Sequence, residues 1–183
     1  MEKKITEKQA IDILKKYAPN EDVFKKVLEH SLRVKDIALK LISGINRGVD
    51  RDFLKTASIL HDIGRFKYPP GNKDSIKHGI YGGEILRALG LPQHARVCET
   101  HIGVGITKED IVSQNLPLPL KDFVPETVEE ILIAYSDNLD SPGISSERDV
   151  EERFVREVGE GYRKRVQDFH KKVHKILKDL RGK

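Results

Sequence analysis

The sequence predicts an all-α fold, and three observations carry that prediction. Apolar residues recur at three- and four-residue spacing through most of the chain, no stretch alternates polar and apolar residues over the length of a strand, and the periodic segments stop at Gly or Pro. Together they describe a compact bundle of about seven to nine helices, with residues 1–183 as one domain.

Each element has its own justification. Thr6 and Gln9 stand in capping-box spacing ahead of Ile11, Ile13 and Leu14, which predicts a helix over 6–17. Val23, Val27, Val34, Ile37 and Leu41 share a stripe over 21–43, with Gly44 where a C-cap belongs. Asp50 or Asp52 can cap a helix over 52–63 that ends at Gly64. Pro69, Pro70 and Gly71 make RFKYPPGNKD, 65–74, a loop. Helical patterns return at 75–89 and 92–102. After the turn GVGIT, Thr107 caps a short helix through Ser113. NLPLPLKDFVP is a connection, and Pro125 suits the first turn of a helix over 125–139. That helix is apolar nearly all round through ILIAY and is expected to be central and buried. SPG, 141–143, is a second loop, and charged amphipathic helices over 146–159 and 161–181 follow.

Composition excludes several classes. A charged fraction of 34% beside 38% hydrophobic residues is that of a folded, well-solvated protein. The single Cys98 rules out an internal disulfide framework. No apolar run reaches the roughly 18 residues a membrane span needs, and MEKKITEKQ lacks a signal peptide's apolar stretch, so the expected location is cytoplasmic, without a membrane partner. The net charge of +4 suits an anionic ligand but is too small and too dispersed to require nucleic acid, which is not the expected partner. There is no P-loop and no zinc-finger cysteine pair.

Against this background four polar residues are out of place. His30 occupies a position of the stripe 23, 27, 30, 34, 37, 41 that otherwise holds aliphatic residues. His61 and Asp62 follow Leu54, Ala57 and Leu60 on a core-facing turn, and Asp137 closes the most apolar segment of the chain. An unpaired carboxylate there is costly. A divalent cation resolves the conflict, because two imidazoles and two carboxylates suit Mn, Fe, Co, Ni, Zn or Mg. Asp137 has the competing option of capping the next turn with Asn138 and Asp140. His78 lies in the glycine-rich KHGIYGGE, and His101 precedes the GVG turn; both are expected to face the same cleft.

The ordered set His30, His61-Asp62-Ile63-Gly64 and Asp137 in AYSDNLD resembles the HDIG form of the HD-domain superfamily of metal-dependent phosphohydrolases, over about residues 22–140. The helix at 6–17 and the helices over 146–181 fall outside the resemblance. It implies an all-helical fold, His30, His61, Asp62 and Asp137 as ligands of one or two divalent ions, and His78 and His101 as ligands of a second metal or as contacts to the substrate phosphate. The HG, HIG and SDNLDSPG segments are similar to the diadenosine-polyphosphate hydrolase branch, with Ser136 where that branch carries Ala.

The implied reaction is hydrolysis of a phosphoester or phosphoanhydride of a nucleotide or dinucleotide by metal-activated water. With one ion, Asp62 or a cleft histidine, His78 or His101, is expected to orient or deprotonate that water; with two, Asp62 is expected to bridge them. Charge developing on phosphoryl oxygens calls for cations, for which Arg33, Arg65 and Lys67 are the candidates, with Lys73 and Lys77 behind them. A regulatory module that keeps the metal and senses a nucleotide is the alternative. His94 is expected at the surface, and His170 and His174, spaced for chelation, on a solvated face. The stripe Val166, Phe169, Val173 and Ile176/Leu177 suits packing on the domain or on a second copy of the chain in a homodimer.

Overall fold

The structure is a computed structural model that describes residues 3–71 and 73–182; Met1, Glu2, Asn72 and Lys183 lie outside the described residues. Among the described residues it is helical without a strand, as the periodicity predicts. The helices are α1 (Glu7–Tyr17), α2 (Glu21–Leu41), α3 (Arg51–Leu60), α4 (His78–Ala88), α5 (Pro92–Thr100), α6 (Lys108–Ser113), α7 (Val128–Leu139), α8 (Glu147–Glu157) and α9 (Tyr162–Arg181). Two 3-10 turns, Ile63–Phe66 and Lys73–Lys77, flank the loop between α3 and α4.

Local chemistry sets the boundaries. The Thr6 and Gln9 capping box starts α1, Asn20 caps α2 by accepting from the Val23 amide, and Asp50 caps α3 by accepting from Asp52 and Phe53. Three ends differ from the sequence expectation. The helix expected through residue 63 stops at Leu60, and the chain tightens into the 3-10 turn, which re-aims the residues after Leu60. The helix expected from 75 begins at His78, with 73–77 wound as 3-10. The helix expected from Pro125 begins at Val128, because the Thr127 hydroxyl accepts from the Glu130 amide and fixes the cap there. The proline-rich connection before it is pinned by the pair Ile106 and Phe123, which exchange backbone hydrogen bonds of 3.0 and 2.7 Å.

Two apolar clusters share α3. In one, Leu14 of α1, Phe24 of α2, Ile59, Leu60 and Ile63 pack with Leu86 of α4 and Cys98 of α5. In the other, Val34 and Ala38 of α2 and Leu54 and Ala57 of α3 pack with α7 and with Val166 and Val173 of α9. The apolar stripe of α9 therefore packs on its own chain. Residues 130–136 of α7 are all buried, which agrees with its nearly uniform hydrophobicity. Two histidines depart from expectation. His94 is buried, with Nε2 2.9 Å from the Thr56 hydroxyl and its ring edge-on to Phe53. His170 is buried too, on the side of α9 facing α8. No helix among the described residues is long and apolar enough to cross a membrane.

Candidate metal centre

Five segments deliver the site. α2 brings His30 to its inner stripe, with Arg33 one turn further on. The end of α3 delivers His61 and then Asp62, whose φ of −106° and ψ of 16° lie outside the helix. The glycine after them is required by space. A Cβ on Gly64 would stand 1.9 Å from the His78 carbonyl oxygen, so the 3-10 turn backs directly onto the first turn of α4 and sets His78 beside Asp62. A Cβ on Gly79 would stand 2.6 Å from the Cys98 carbonyl oxygen, so α4 and α5 pack closely enough for His101 to reach His78. Asp137 and Asp140 come from the end of α7.

The four imidazoles share one arrangement. The Nδ1 atoms of His61, His78 and His101 lie 2.6, 2.6 and 2.9 Å from the carbonyl oxygens of Ser58, Ser75 and Cys98. Carbonyls only accept, so each Nδ1 carries a proton and each ring turns its Nε2 inward. His30 holds its Nδ1 2.8 Å from an Asp140 carboxylate oxygen, and Asp140 also accepts from Arg33 Nε at 2.8 Å. A carboxylate or carbonyl behind an imidazole is the usual support of a metal-ligating histidine.

The two oxygens of Asp62 face different histidines. Oδ2 lies 3.6 Å from His30 Nε2 and 4.0 Å from His61 Nε2, and Asp137 Oδ1 faces the same pair at 3.0 and 3.6 Å. Oδ1 lies 3.2 and 3.4 Å from the Nε2 atoms of His78 and His101. Ligand atoms of His30, His61 and Asp137, and likewise of His61, Asp62 and His101, come close enough to hold an ion.

The donor chemistry fits a divalent cation. His61 Nε2 is buried and has no hydrogen-bond partner. His78 and His101 turn their Nε2 atoms towards each other at 3.1 Å, beside Asp62 Oδ1. A cation beside His61 and His101, whose ligand atoms come together with one from Asp62, would satisfy nitrogens that the protein leaves without a donor. Burial opposes the charged forms of Asp62 and Asp137, yet the surrounding histidines, with Arg65 beside Asp62, hold both carboxylates well below their usual range. Burial likewise lowers the pKa of His101.

His30 is the proton store of the metal-free site. Burial favours its neutral ring, but the hydrogen bond and charge of Asp137, then Asp62 and Asp140, outweigh it and raise the pKa from 6.5 to about 9. A raised pKa stabilises the folded chain fully below 6.5, and that contribution is lost as pH rises through about 9. An NMR titration of the chelator-treated protein is expected to give a His30 midpoint near 9, abolished when metal displaces the proton. A midpoint at the ordinary histidine value would refute this electrostatic description.

The site opens on a cleft of about 810 Å³. His30, Asp62, His78, His101 and Asp137 line it, while His61 is fully buried behind them. Arg65 lines it too, with Nε 3.2 Å from Asp62 Oδ1, as does Arg33. Lys67 does not: its ammonium lies 4.3 Å from the centre of the Tyr81 ring, held by cation–π attraction. Lys77 pairs with Asp74. Sequence reasoning missed Lys26 and Arg153, and weighed Asn138 and Asp140 only as capping partners of Asp137. Arg153 of α8 donates to Asn138 Oδ1 at 2.6 Å, and Asn138 Nδ2 donates to the Gly103 carbonyl at 2.7 Å, which ties α7 to the turn after His101. Asp140 had a readable signal, since it follows Asp137 at helical spacing.

Fold and site together define an all-helical protein built around a histidine and aspartate cluster. Residues 27–141 match the HD domain, and the chain belongs to that family. It is 38% identical over 155 residues to an uncharacterized protein of Methanocaldococcus jannaschii, covering 82% of this chain and 83% of that one. It is 37% identical over 137 residues to a tRNA (cytidine(56)-2'-O)-methyltransferase of Picrophilus torridus, covering 69% of this chain and 38% of the other. An enzyme of the same name from Thermoplasma volcanium is 30% identical over 176 residues, covering 95% of this chain and 46% of the other. The chain thus matches less than half the length of either methyltransferase. Among solved structures, the HD domain of the L. monocytogenes phosphodiesterase PgpH shares the fold, with a TM-score of 0.52 at 18% identity over 94% of this chain and 97% of that one.

Proposed function

We propose that the protein is a divalent-metal-dependent phosphohydrolase that cleaves a phosphoester or phosphoanhydride bond of a nucleotide or dinucleotide. The observation that carries this reading is the convergence of inward-facing imidazole nitrogens and two carboxylates at a cleft whose walls add Arg33 and Arg65. His30, His61, Asp62 and Asp137 would hold the ion, with His78 and His101 holding a second or contacting phosphate. A divalent ion bound there supplies Lewis acidity and lowers the pKa of a bound water, to about 7 in strong cases.

The chain's own groups do the rest. Asp62, charged and flanked by Arg65, accepts a hydrogen bond from water and orients it. Arg33, 57% exposed at its side chain, remains able to meet a phosphoryl oxygen while Asp140 fixes its base. Lys26 adds charge at the rim, and Val23, Val27, Ile76 and Ile102 give apolar wall for a nucleobase. The resemblance of HG, HIG and SDNLDSPG to the diadenosine-polyphosphate hydrolase branch makes dinucleoside polyphosphates the leading substrate class.

Phosphate release tests the reading, measured with the metal-reconstituted protein over nucleoside mono- and triphosphates, dinucleoside polyphosphates and cyclic dinucleotides. tRNA belongs in the panel, because two relatives are named for activity on it. Metal-dependent turnover of a mononucleotide or dinucleotide is the expected outcome. Bound metal with nucleotide affinity but no turnover would replace the enzyme with a sensing module.

A further inference from the structure

Of the arginines that line the cleft, Arg33 pairs with Asp140 and Arg65 with Asp62. Arg153 of α8 is different. Among the described residues this half-buried guanidinium has only neutral partners: it donates to Asn138 Oδ1 at 2.6 Å and to the Ser141 hydroxyl, and it enters no ion pair. The acids one turn away on its own helix are engaged elsewhere. Glu157 faces Arg156 at 3.9 Å, and Asp149 accepts from Ser145 and Ser146. A tie between α8 and α7 needs no charge, since a neutral amide can donate to the same acceptors, and holding an unpaired cation partly out of water is costly. The position of Arg153 is set by the site itself. Its two acceptors directly follow Asp137 and Asp140 in the chain, and a Cβ on Gly103 would stand 2.9 Å from the Phe154 ring, so α8 sits against the turn after His101. Phe154 also lines an adjoining cavity of about 120 Å³ bounded by Ile106, Leu116 and Tyr162, which gives a ligand that reaches Arg153 room to continue.

Building on the nucleotide reading of the cleft, on which this rests, we propose that Arg153 is a specificity-determining residue that binds a second phosphate of the substrate, one not held at the metal centre. The protein thereby selects nucleotides with two or more linked phosphates over those with one. The planar guanidinium keeps donors free beyond the two that Asn138 and Ser141 use, and its fork matches a pair of phosphate oxygens. Those two acceptors hold it in place before the ligand arrives, which reduces the ordering that binding requires. Arg153 lies beyond residues 27–141, so this contact comes from a helix outside the segment that matches the HD domain.

The test titrates metal-reconstituted full chains of wild type, Arg153→Gln and Arg153→Lys by calorimetry with two probes. One is inorganic phosphate, which reports the metal centre; the other is the ADP analogue with a methylene bridge between its phosphorus atoms, which adds the second phosphate. Wild type is expected to bind the analogue more tightly than phosphate. Arg153→Gln should lose roughly tenfold in affinity for the analogue and stay within about twofold for phosphate, while Arg153→Lys keeps more of the analogue affinity than Gln does. Metal content by elemental analysis and helicity by circular dichroism should match wild type in both variants. An equal loss for both probes, or a loss that follows the metal content, would make Arg153 a structural tie acting through Asn138 and overturn the proposal. So would an unchanged affinity of Arg153→Gln for the analogue, or a wild type that does not prefer the analogue to phosphate. The expected discrimination in a protein without turnover would sustain the role of Arg153 and remove only the hydrolase reading.

Discussion

Replacing Asp62 with Asn is expected to lower phosphate release by roughly a thousandfold, about 4 kcal/mol of transition-state stabilisation, while the helical fold survives. The magnitude follows from geometry. Among the described residues Asp62 is the one carboxylate whose two oxygens face both histidine groups, Oδ2 towards His30 and His61 and Oδ1 towards His78 and His101. An amide of the same size turns one of those oxygens into a donor with no charge. It weakens the metal set and removes the acceptor that orients water in one change. The substitution adds no bulk, but it removes a charge that the surrounding histidines and Arg65 stabilise, so the metal-free protein is expected to melt below wild type while keeping its helical circular dichroism. Phosphate release within tenfold of wild type at saturating metal would refute the role given to Asp62.

The legible part of this molecule was the part set by neighbours along the chain. Thr6 and Thr107 cap where short-range spacing places a cap, and the stripe of α2 puts His30 inward for the same reason that it puts Val34 there. The HDIG segment stood out because buried polar groups conflict with an apolar pattern. The rest depends on contacts between distant segments. Nothing near Arg153 announces that it will reach Asn138 on another helix. His94 reads as a surface residue because it follows Leu91-Pro92, and His170 because it stands on a Lys-rich helix, yet α3 and α8 cover them in the fold. Lys67 sits two residues from Arg65, but the 3-10 turn sends Arg65 to Asp62 and Lys67 to Tyr81. The end of α3 was misplaced for a related reason. A continuing α-helix satisfies its local pattern, whereas the observed turn is held by the docking of Gly64 on α4.

That docking makes Gly64→Ala the substitution with the largest expected effect on stability. The added methyl would lie 1.9 Å from the His78 carbonyl oxygen, 2.7 Å from the His78 carbonyl carbon and 2.9 Å from the Gly82 amide nitrogen, all backbone atoms. No rotamer change relieves such a clash, so the turn and α4 must separate. Overpacking a close contact costs up to about 3 kcal/mol and occasionally more, and the upper end applies where backbone must move. At about 2–4 °C per kcal/mol for a chain of this size, the melting temperature should fall by roughly 6–12 °C. Gly44→Ala separates this effect from glycine's backbone freedom. Gly44 has a φ of +78° but nothing within 4 Å of an added Cβ, so its alanine variant carries only the left-handed penalty of about 1–2 kcal/mol. Separation at Gly64 also draws His78 away from Asp62, so the same variant should lose metal affinity, whereas Gly44→Ala keeps it. Equal melting temperatures and equal metal binding for the two variants would show that the glycine after His61-Asp62-Ile63 serves no packing purpose.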